Sequence, residues 1–318
     1  MSETQSRFGA ETADGFSPPL RLHAAQYLEL CKPKVVALIV FTAMVGMFLS
    51  IPTFVPLDIL IFGSLGIGLA AAAGAAYNHV ADQHIDAVMA RTKGRPLPTG
   101  GMDSRRAAIF ATALCALAMV LLLVFINWLT AALTFLSMVV YAVVYTIYLK
   151  HATPQNIVIG GAAGAMPPVL GWAAVTDSID PHALLLFLII FVWTPPHFWA
   201  LAIHRRDDYA EAEVPMLPVT HGVAFTRMQI LLYTVLLCLA TVLPYITGMT
   251  GVVYLLGAIA LNAGFLYYAV ALLLSDRRDL PMKTFGYSIW YLMGLFAVLL
   301  LDHYVPTPTV LWWLGFGP

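Results

Sequence analysis

Long apolar blocks alternate with short polar segments along this chain. A block of roughly 18 or more uncharged residues is long enough to cross a bilayer as a helix. Nine such blocks fall at about 33–51, 58–78, 106–126, 129–149, 155–175, 183–203, 228–247, 252–274 and 285–303. Each is expected to be helical, because lipid offers no partner for an open backbone amide or carbonyl. The predicted fold class is all-α: a polytopic membrane bundle of about nine transmembrane helices. Trp128, Trp172, Tyr245, Tyr304 and Trp312 stand near block ends, where interfacial aromatic rings belong. Pro195 and Pro196 fall inside the sixth block and predict a kink or break there.

Composition supports this reading. The 318 residues are 60% hydrophobic and 10% charged, against about 25% charged in a soluble domain. The net charge of -1 offers no basic surface, and no nucleic-acid partner is expected. Cys31, Cys115 and Cys238 lie far apart, without metal or disulfide spacing. The first residues lack the apolar core of a signal peptide, and Glu3, Glu11 and Asp14 are out of place in a transit peptide. A multi-pass protein of a bacterial inner membrane is the expectation.

Charge sets the orientation. Arg7, Arg21, Lys32 and Lys34 precede or flank the first block. Arg91, Lys93, Arg95, Arg105 and Arg106 follow the second, and Lys150 follows the fourth. Arg205, Arg206 and Arg227 follow the sixth, and Arg277, Arg278 and Lys283 follow the eighth. These are all sixteen basic residues, and the alternate connections hold none. The positive-inside rule then puts the N-terminus in the cytoplasm and the C-terminus outside. Three regions are expected: a disordered cytoplasmic tail at 1–24, a transmembrane domain at 25–305 and a short periplasmic tail at 306–318.

Two cytoplasmic loops carry the candidate chemistry. The first begins Asn78-His-Val-Ala-Asp82-Gln-His-Ile-Asp86. Positions i, i+4 and i+8 share one helical stripe, so three oxygen-bearing side chains point one way. Like charges at that spacing repel, and a cation would relieve them. Oxygen ligands of this kind suit Mg²⁺, bound through one or two carboxylates plus substrate phosphates. Arg91-Thr-Lys93-Gly-Arg95-Pro96 follows as a basic turn that could hold a diphosphate. His79 and His84 stand off the main stripe and are not expected as metal ligands.

The second loop reads His204-Arg-Arg-Asp207-Asp208-Tyr-Ala-Glu211. Asp207 shares a stripe with Glu211, and His204 shares the next with Asp208. Pro215 and Pro218 end the helix. The loops are four spans apart, which suggests a duplicated four-helix unit with both acidic sites on one cavity. Acids flanked by Lys and Arg at the mouth of a membrane cavity suit a lipid diphosphate. Its tail stays in the bilayer, its departing charge meets Mg²⁺ and basic side chains, and an apolar pocket shelters the allylic cation.

The Asn78-xxx-Asp82-xxx-Asp86 motif, the nine spans and the second acidic loop resemble the UbiA-type intramembrane prenyltransferases. Further stretches resemble the branch of that family that acts on heme, over about residues 27–303. They are Lys32-Pro33-Lys34, Asp86 through Pro96, Thr153-Pro-Gln-Asn156 through Pro168, Thr194-Pro-Pro-His197-Phe-Trp-Ala-Leu201, and Asp208-Tyr209 leading to Pro215-Met-Leu-Pro218. The resemblance implies transfer of a farnesyl group from farnesyl diphosphate to a vinyl group of heme b. Water completes the addition and gives heme O, for the biogenesis of heme-copper oxidases.

Catalysis is then expected from Asn78, Asp82, Asp86, Asp208 and Asp207, with Mg²⁺ on Asp82, Asp86 and Asp208. Quinone-type members carry a DxxxD second motif, and His204 stands here where its first Asp would fall. Asp208 is therefore favoured over Asp207 and Glu211, with Asp207 in support. Diphosphate contacts are assigned to Lys93, Arg95, Lys34 and Arg91, and heme contacts to His197, Asn156 and His151. His197 could instead stabilise a kink at the double proline. The Gly160-Gly161-Ala-Ala-Gly164-Ala run reads most simply as close helix packing. Heme A synthase or oxidase assembly would be the downstream partners. The rival readings are a prenyltransferase acting on a quinone precursor, a transporter and a non-catalytic assembly factor. A transporter would place ionisable groups near the bilayer midplane, whereas these gather at span ends.

Overall fold

A computed structural model describes residues 20–305, with side chains from residue 24. Trp312, residues 1–19 of the tail expected at 1–24, and the tail expected at 306–318 lie outside the described residues, whereas residues 20–24 open a helix. The helices in chain order are α1 (Leu20–Leu30), α2 (Pro33–Leu49), α3 (Leu57–Ala81), α4 (Gln83–Val88), α5 (Ser104–Phe125) and α6 (Trp128–Val139). A π-helical segment, Val140–Leu149, joins α6 to α7 (Lys150–Ala152). Then come α8 (Asn156–Ala165), α9 (Pro167–Thr176), α10 (Pro181–His204), α11 (Arg206–Glu211) and α12 (Leu217–Thr220). The last are α13 (Val223–Ile246), α14 (Val252–Leu274) and α15 (Leu280–Tyr304).

Eight helical stretches among the described residues are long and apolar enough to cross a membrane, and α1 with α2 forms a ninth bent by 51°. This is a multi-pass membrane fold. All nine predicted blocks are helical, and two of the long stretches are built from shorter pieces. Trp128–Ala152 runs through the π segment, and Asn156–Thr176 contains both α8 and α9.

Pro195 and Pro196 do not break the sixth block, and α10 continues through both. It packs there against α8, α13 and α15. The discontinuity falls instead at Met166-Pro167-Pro168, where α8 ends and α9 begins on its prolines. Proline is readily accepted in the first turn of a helix, so Pro167 and Pro168 serve as a start signal. Trp172 is likewise no interfacial anchor. It is buried in the main core with Val45, Ile189 and Trp193. Trp128 is 73% exposed, as an interfacial ring would be.

Close approach explains the small residues. Only Ala107, Ala111, Ala118 and Leu122 of α5 are buried, on the stripe facing α3, and Leu122 lies against Gly66. A side chain at Gly46 or Gly171 would strike the backbone at Pro168 or Ala43, so α2 and α9 cross nearly in contact. Gly160 faces Tyr145 and Gly161 faces Thr194, as expected for a packing run.

Polar pairs tie the second half together. The Tyr291 hydroxyl donates to Asn262 (2.7 Å), the Asn262 amide donates to Thr241 (2.9 Å), and the Trp193 indole donates to the Ser288 carbonyl (2.8 Å). At the far end of α15, buried Asp302 accepts from the Gly251 and Tyr254 amides and caps α14.

Candidate active site

The first acidic motif straddles a joint. α3 ends at Ala81, Asp82 turns the chain, and α4 carries it one more turn to Val88. The stripe survives the joint, because the Asp82 and Asp86 amides still bond four residues back. Asn78, Asp82 and Asp86 are 5%, 5% and 3% exposed. Carboxylates so buried need partners. The Asn78 amide donates to Asp82 Oδ2 (2.8 Å) and to Thr146 Oγ1 (3.2 Å).

Side-chain cations supply the charge balance. Lys150 Nζ lies 2.8 Å from Asp82 Oδ2, and Arg95 reaches Asp86 Oδ2 at 2.6 Å. Lys32 Nζ donates to Asn78 Oδ1 (2.5 Å). Lys32 stands at the bend between α1 and α2 with φ 49°, a left-handed conformation that costs a non-glycine residue of order 1 kcal/mol. The π segment positions Lys150. The Lys150 amide bonds five residues back to the Tyr145 carbonyl, the Thr146 hydroxyl donates to the Tyr141 carbonyl (2.9 Å), and the Tyr141 and Tyr145 rings stack at 5.8 Å. π-helical turns are uncommon and recur at functional sites.

The second loop is less complete. Asp207 and Glu211 of α11 are exposed, and Asp208 is half-buried. Asp208 Oδ2 is covered from solvent with no hydrogen-bond partner, although Arg205 stands 3.5 Å away. Tyr209 beside it is buried, which pushes its phenol up from the usual value. Met89 of the first loop and Tyr209 of the second share one buried cluster, so the two acidic loops face one another.

The other expected residues divide. Lys93 and Arg91 are exposed at the rim. Lys34 lines a groove of about 420 Å³ with Glu29, Lys32, His79 and Arg95. Asn156 is buried at the start of α8, its amide on the Thr153 carbonyl (2.8 Å), and His151 is exposed beside Lys150. His197 sits between the Trp193 and Phe285 rings (centroids at 4.3 and 4.5 Å), with Nδ1 2.7 Å from Ser288 Oγ.

Sequence reasoning gave Lys150 no role in the site. Its signal was that it is the only basic residue between the fourth and fifth spans. Lys32 carried a comparable signal, as a cation directly preceding a span.

The donor set suits Mg²⁺. Among the described residues, no three His, Cys, Asp or Glu side chains form a ready-made cage. A hard dication held mainly by substrate phosphates needs only one or two protein carboxylates. The bonds to Asp82 and Asp86 described above involve Oδ2 of each, and Asp208 contributes a buried oxygen without a hydrogen bond.

Comparison with known proteins matches residues 39–296 to the UbiA prenyltransferase family. A protoheme IX farnesyltransferase of Methylococcus capsulatus is 60% identical over 279 residues, covering 88% of this chain and 94% of its own. One of Nitrosococcus oceani is 58% identical over 281 residues, with 88% and 94% covered. Among solved structures, a digeranylgeranylglyceryl phosphate synthase shares the fold at TM-score 0.74 and 20% identity, covering 88% of this chain and 98% of its own. A UbiA homologue from Archaeoglobus fulgidus bound to DMAPP and Mg²⁺ does so at TM-score 0.58 and 16% identity, with 86% and 99% covered.

Proposed function

The chain belongs to the UbiA prenyltransferase family, and we propose that it transfers the farnesyl group of farnesyl diphosphate to a vinyl group of heme b. The observation that carries this reading is a buried centre in which each motif side chain meets a cation: the acids Asp82 with Lys150 and Asp86 with Arg95, and the amide oxygen of Asn78 with Lys32. The high identity to protoheme IX farnesyltransferases selects heme as the acceptor.

The C–O bond at farnesyl C1 breaks, and diphosphate leaves with the bonding electrons. The vinyl terminus attacks C1, water adds to the other vinyl carbon, and a proton is released. The products are heme O and diphosphate. Lys32, Arg95 and Lys150 are placed to offset the negative charge that grows on the leaving group, with Arg91 and Lys93 at the rim. Asp82, Asp86 and Asp208 would hold Mg²⁺, which would screen the same charge when bound. Asn78 orients Asp82 by its hydrogen bond. The bundle interior keeps water from the allylic cation until the new C–C bond forms. Asp207 would support Asp208 from the exposed face of α11.

For heme, His197, Asn156 and His151 are the proposed contacts, with His197 braced by Ser288. The site would face the cytoplasm of a bacterial inner membrane, with the N-terminus inside. The product would pass to a heme A synthase or to oxidase assembly.

Heme extraction and chromatography from membranes overproducing the chain tests the reading. A new, more hydrophobic heme is expected in wild type and not in Asp82→Asn. No new heme from folded wild type supplied with farnesyl diphosphate and Mg²⁺ would refute it and leave a quinone-type acceptor.

A further inference from the structure

A second groove, of about 410 Å³, opens between α14 and α15 near their shared connection. Nothing in the proposed reaction uses it. Tyr267 and Tyr268 line it from α14, Arg277 from the connection, and Lys283, Tyr287 and Trp290 from α15. By the count of spans it lies on the same membrane face as the acidic centre.

Its residues are sorted by depth. Arg277 and Lys283 stand at the mouth, both held by Asp279 (2.8 Å each). Arg278 is exposed beside them, and Asp276 is taken by Arg227 (2.7 Å). Three cations thus stand against one remaining acid. Inward from the mouth the lining is aromatic, and Tyr267 and Trp290 are 68% and 72% exposed. Lys283 and Trp290 are seven residues apart on one helix, about 10 Å at the usual rise. Gly286 lies between them, and a Cβ there would meet nothing within 4 Å, so the groove runs down to the helix backbone.

We propose that this groove binds one anionic phospholipid, with the phosphate at Arg277, Arg278 and Lys283 and the glycerol and upper acyl chain along Tyr267, Gly286 and Trp290. The gradient from charge to aromatic surface follows the polarity of a lipid along the bilayer normal. A soluble anion would need the cations but gain nothing from the aromatic length. A zwitterionic lipid would fit the length but leave the excess positive charge unanswered.

Native mass spectrometry of the full chain in detergent, with added phosphatidylglycerol or phosphatidylcholine, tests this. Wild type should retain one phosphatidylglycerol about tenfold better than phosphatidylcholine. Gly286→Leu, whose Cβ meets nothing within 4 Å, puts a side chain into the groove and should abolish retention of that lipid, with the unfolding temperature kept. The double variant Arg277→Gln/Lys283→Gln should still retain a lipid and lose the preference. Equal retention of both lipids by wild type would overturn the proposal, as would retention indifferent to Gly286→Leu. Competition by inorganic phosphate alone would assign the cations to a free anion, and a co-purifying protein displaced by Gly286→Leu would assign the groove to a partner helix. Either result also overturns it.

Discussion

The two acidic loops face one another, yet they are built to different standards. In the first, both carboxylates are buried and each has its own cation, Arg95 from the same loop and Lys150 from the end of the π segment. In the second, two of three acids are exposed and the third has a covered oxygen without a hydrogen bond. The first loop is preorganised, and its charge is balanced before any ligand arrives. The second is anchored by buried Tyr209 and Val214, but its acids have only the 3.5 Å pair of Asp208 with Arg205, so it gains most from a bound cation. The difference predicts unequal consequences for the same type of substitution.

The largest effect is expected at the first loop. Asp82→Asn or Asp86→Asn should lower turnover by about 1,000-fold or more, read as heme O formed per folded protein. Asp82→Asn also leaves Lys150 buried without its acid, a destabilising change. The double variant Asp82→Asn/Lys150→Met removes both charges and should recover the unfolding temperature while remaining inactive. Recovery of turnover in that variant would mean that the pair is structural only.

Next comes Lys150→Met alone, with a loss of about 100-fold in kcat, in the range for removing one group that stabilises developing charge. A rise in KM for heme with kcat unchanged would separate Lys150 from the diphosphate.

Asp208→Asn should cost about 10- to 100-fold, seen as a higher Mg²⁺ requirement and relieved by excess Mg²⁺. Asp207→Asn and Glu211→Gln should change turnover about twofold or less, since exposed loop charges are well screened. A reversal of that order would move the metal contact to the exposed face of α11. His197→Ala should raise KM for heme by about tenfold, one hydrogen bond's worth, and leave KM for farnesyl diphosphate unchanged. An equal rise in both would make His197 a brace between α10 and α15.

Apolar length made the nine spans legible, and the i, i+4, i+8 spacing made the first motif legible, because both are local patterns. Arg95 was legible beside the motif, but the two more distant cations, Lys32 and Lys150, were not. Lys32 meets Asn78 across 46 residues, and a basic residue at a span end already has an ordinary explanation in membrane topology. Lys150 reaches Asp82 with the help of π winding, which leaves no periodic trace in an apolar run. The prolines misled in a related way. Two adjacent pairs fall inside predicted spans, and packing rather than sequence decides that 167–168 divides a span while 195–196 does not.

The central claim is that diphosphate leaves at the Asp82–Lys150 and Asp86–Arg95 pairs. The most direct measurement is diphosphate release followed beside heme O formation, in purified wild type and in Asp86→Asn, with farnesyl diphosphate, heme b and Mg²⁺. The account predicts equal amounts of the two products from wild type and neither from folded Asp86→Asn. Near-normal diphosphate release from Asp86→Asn would contradict it.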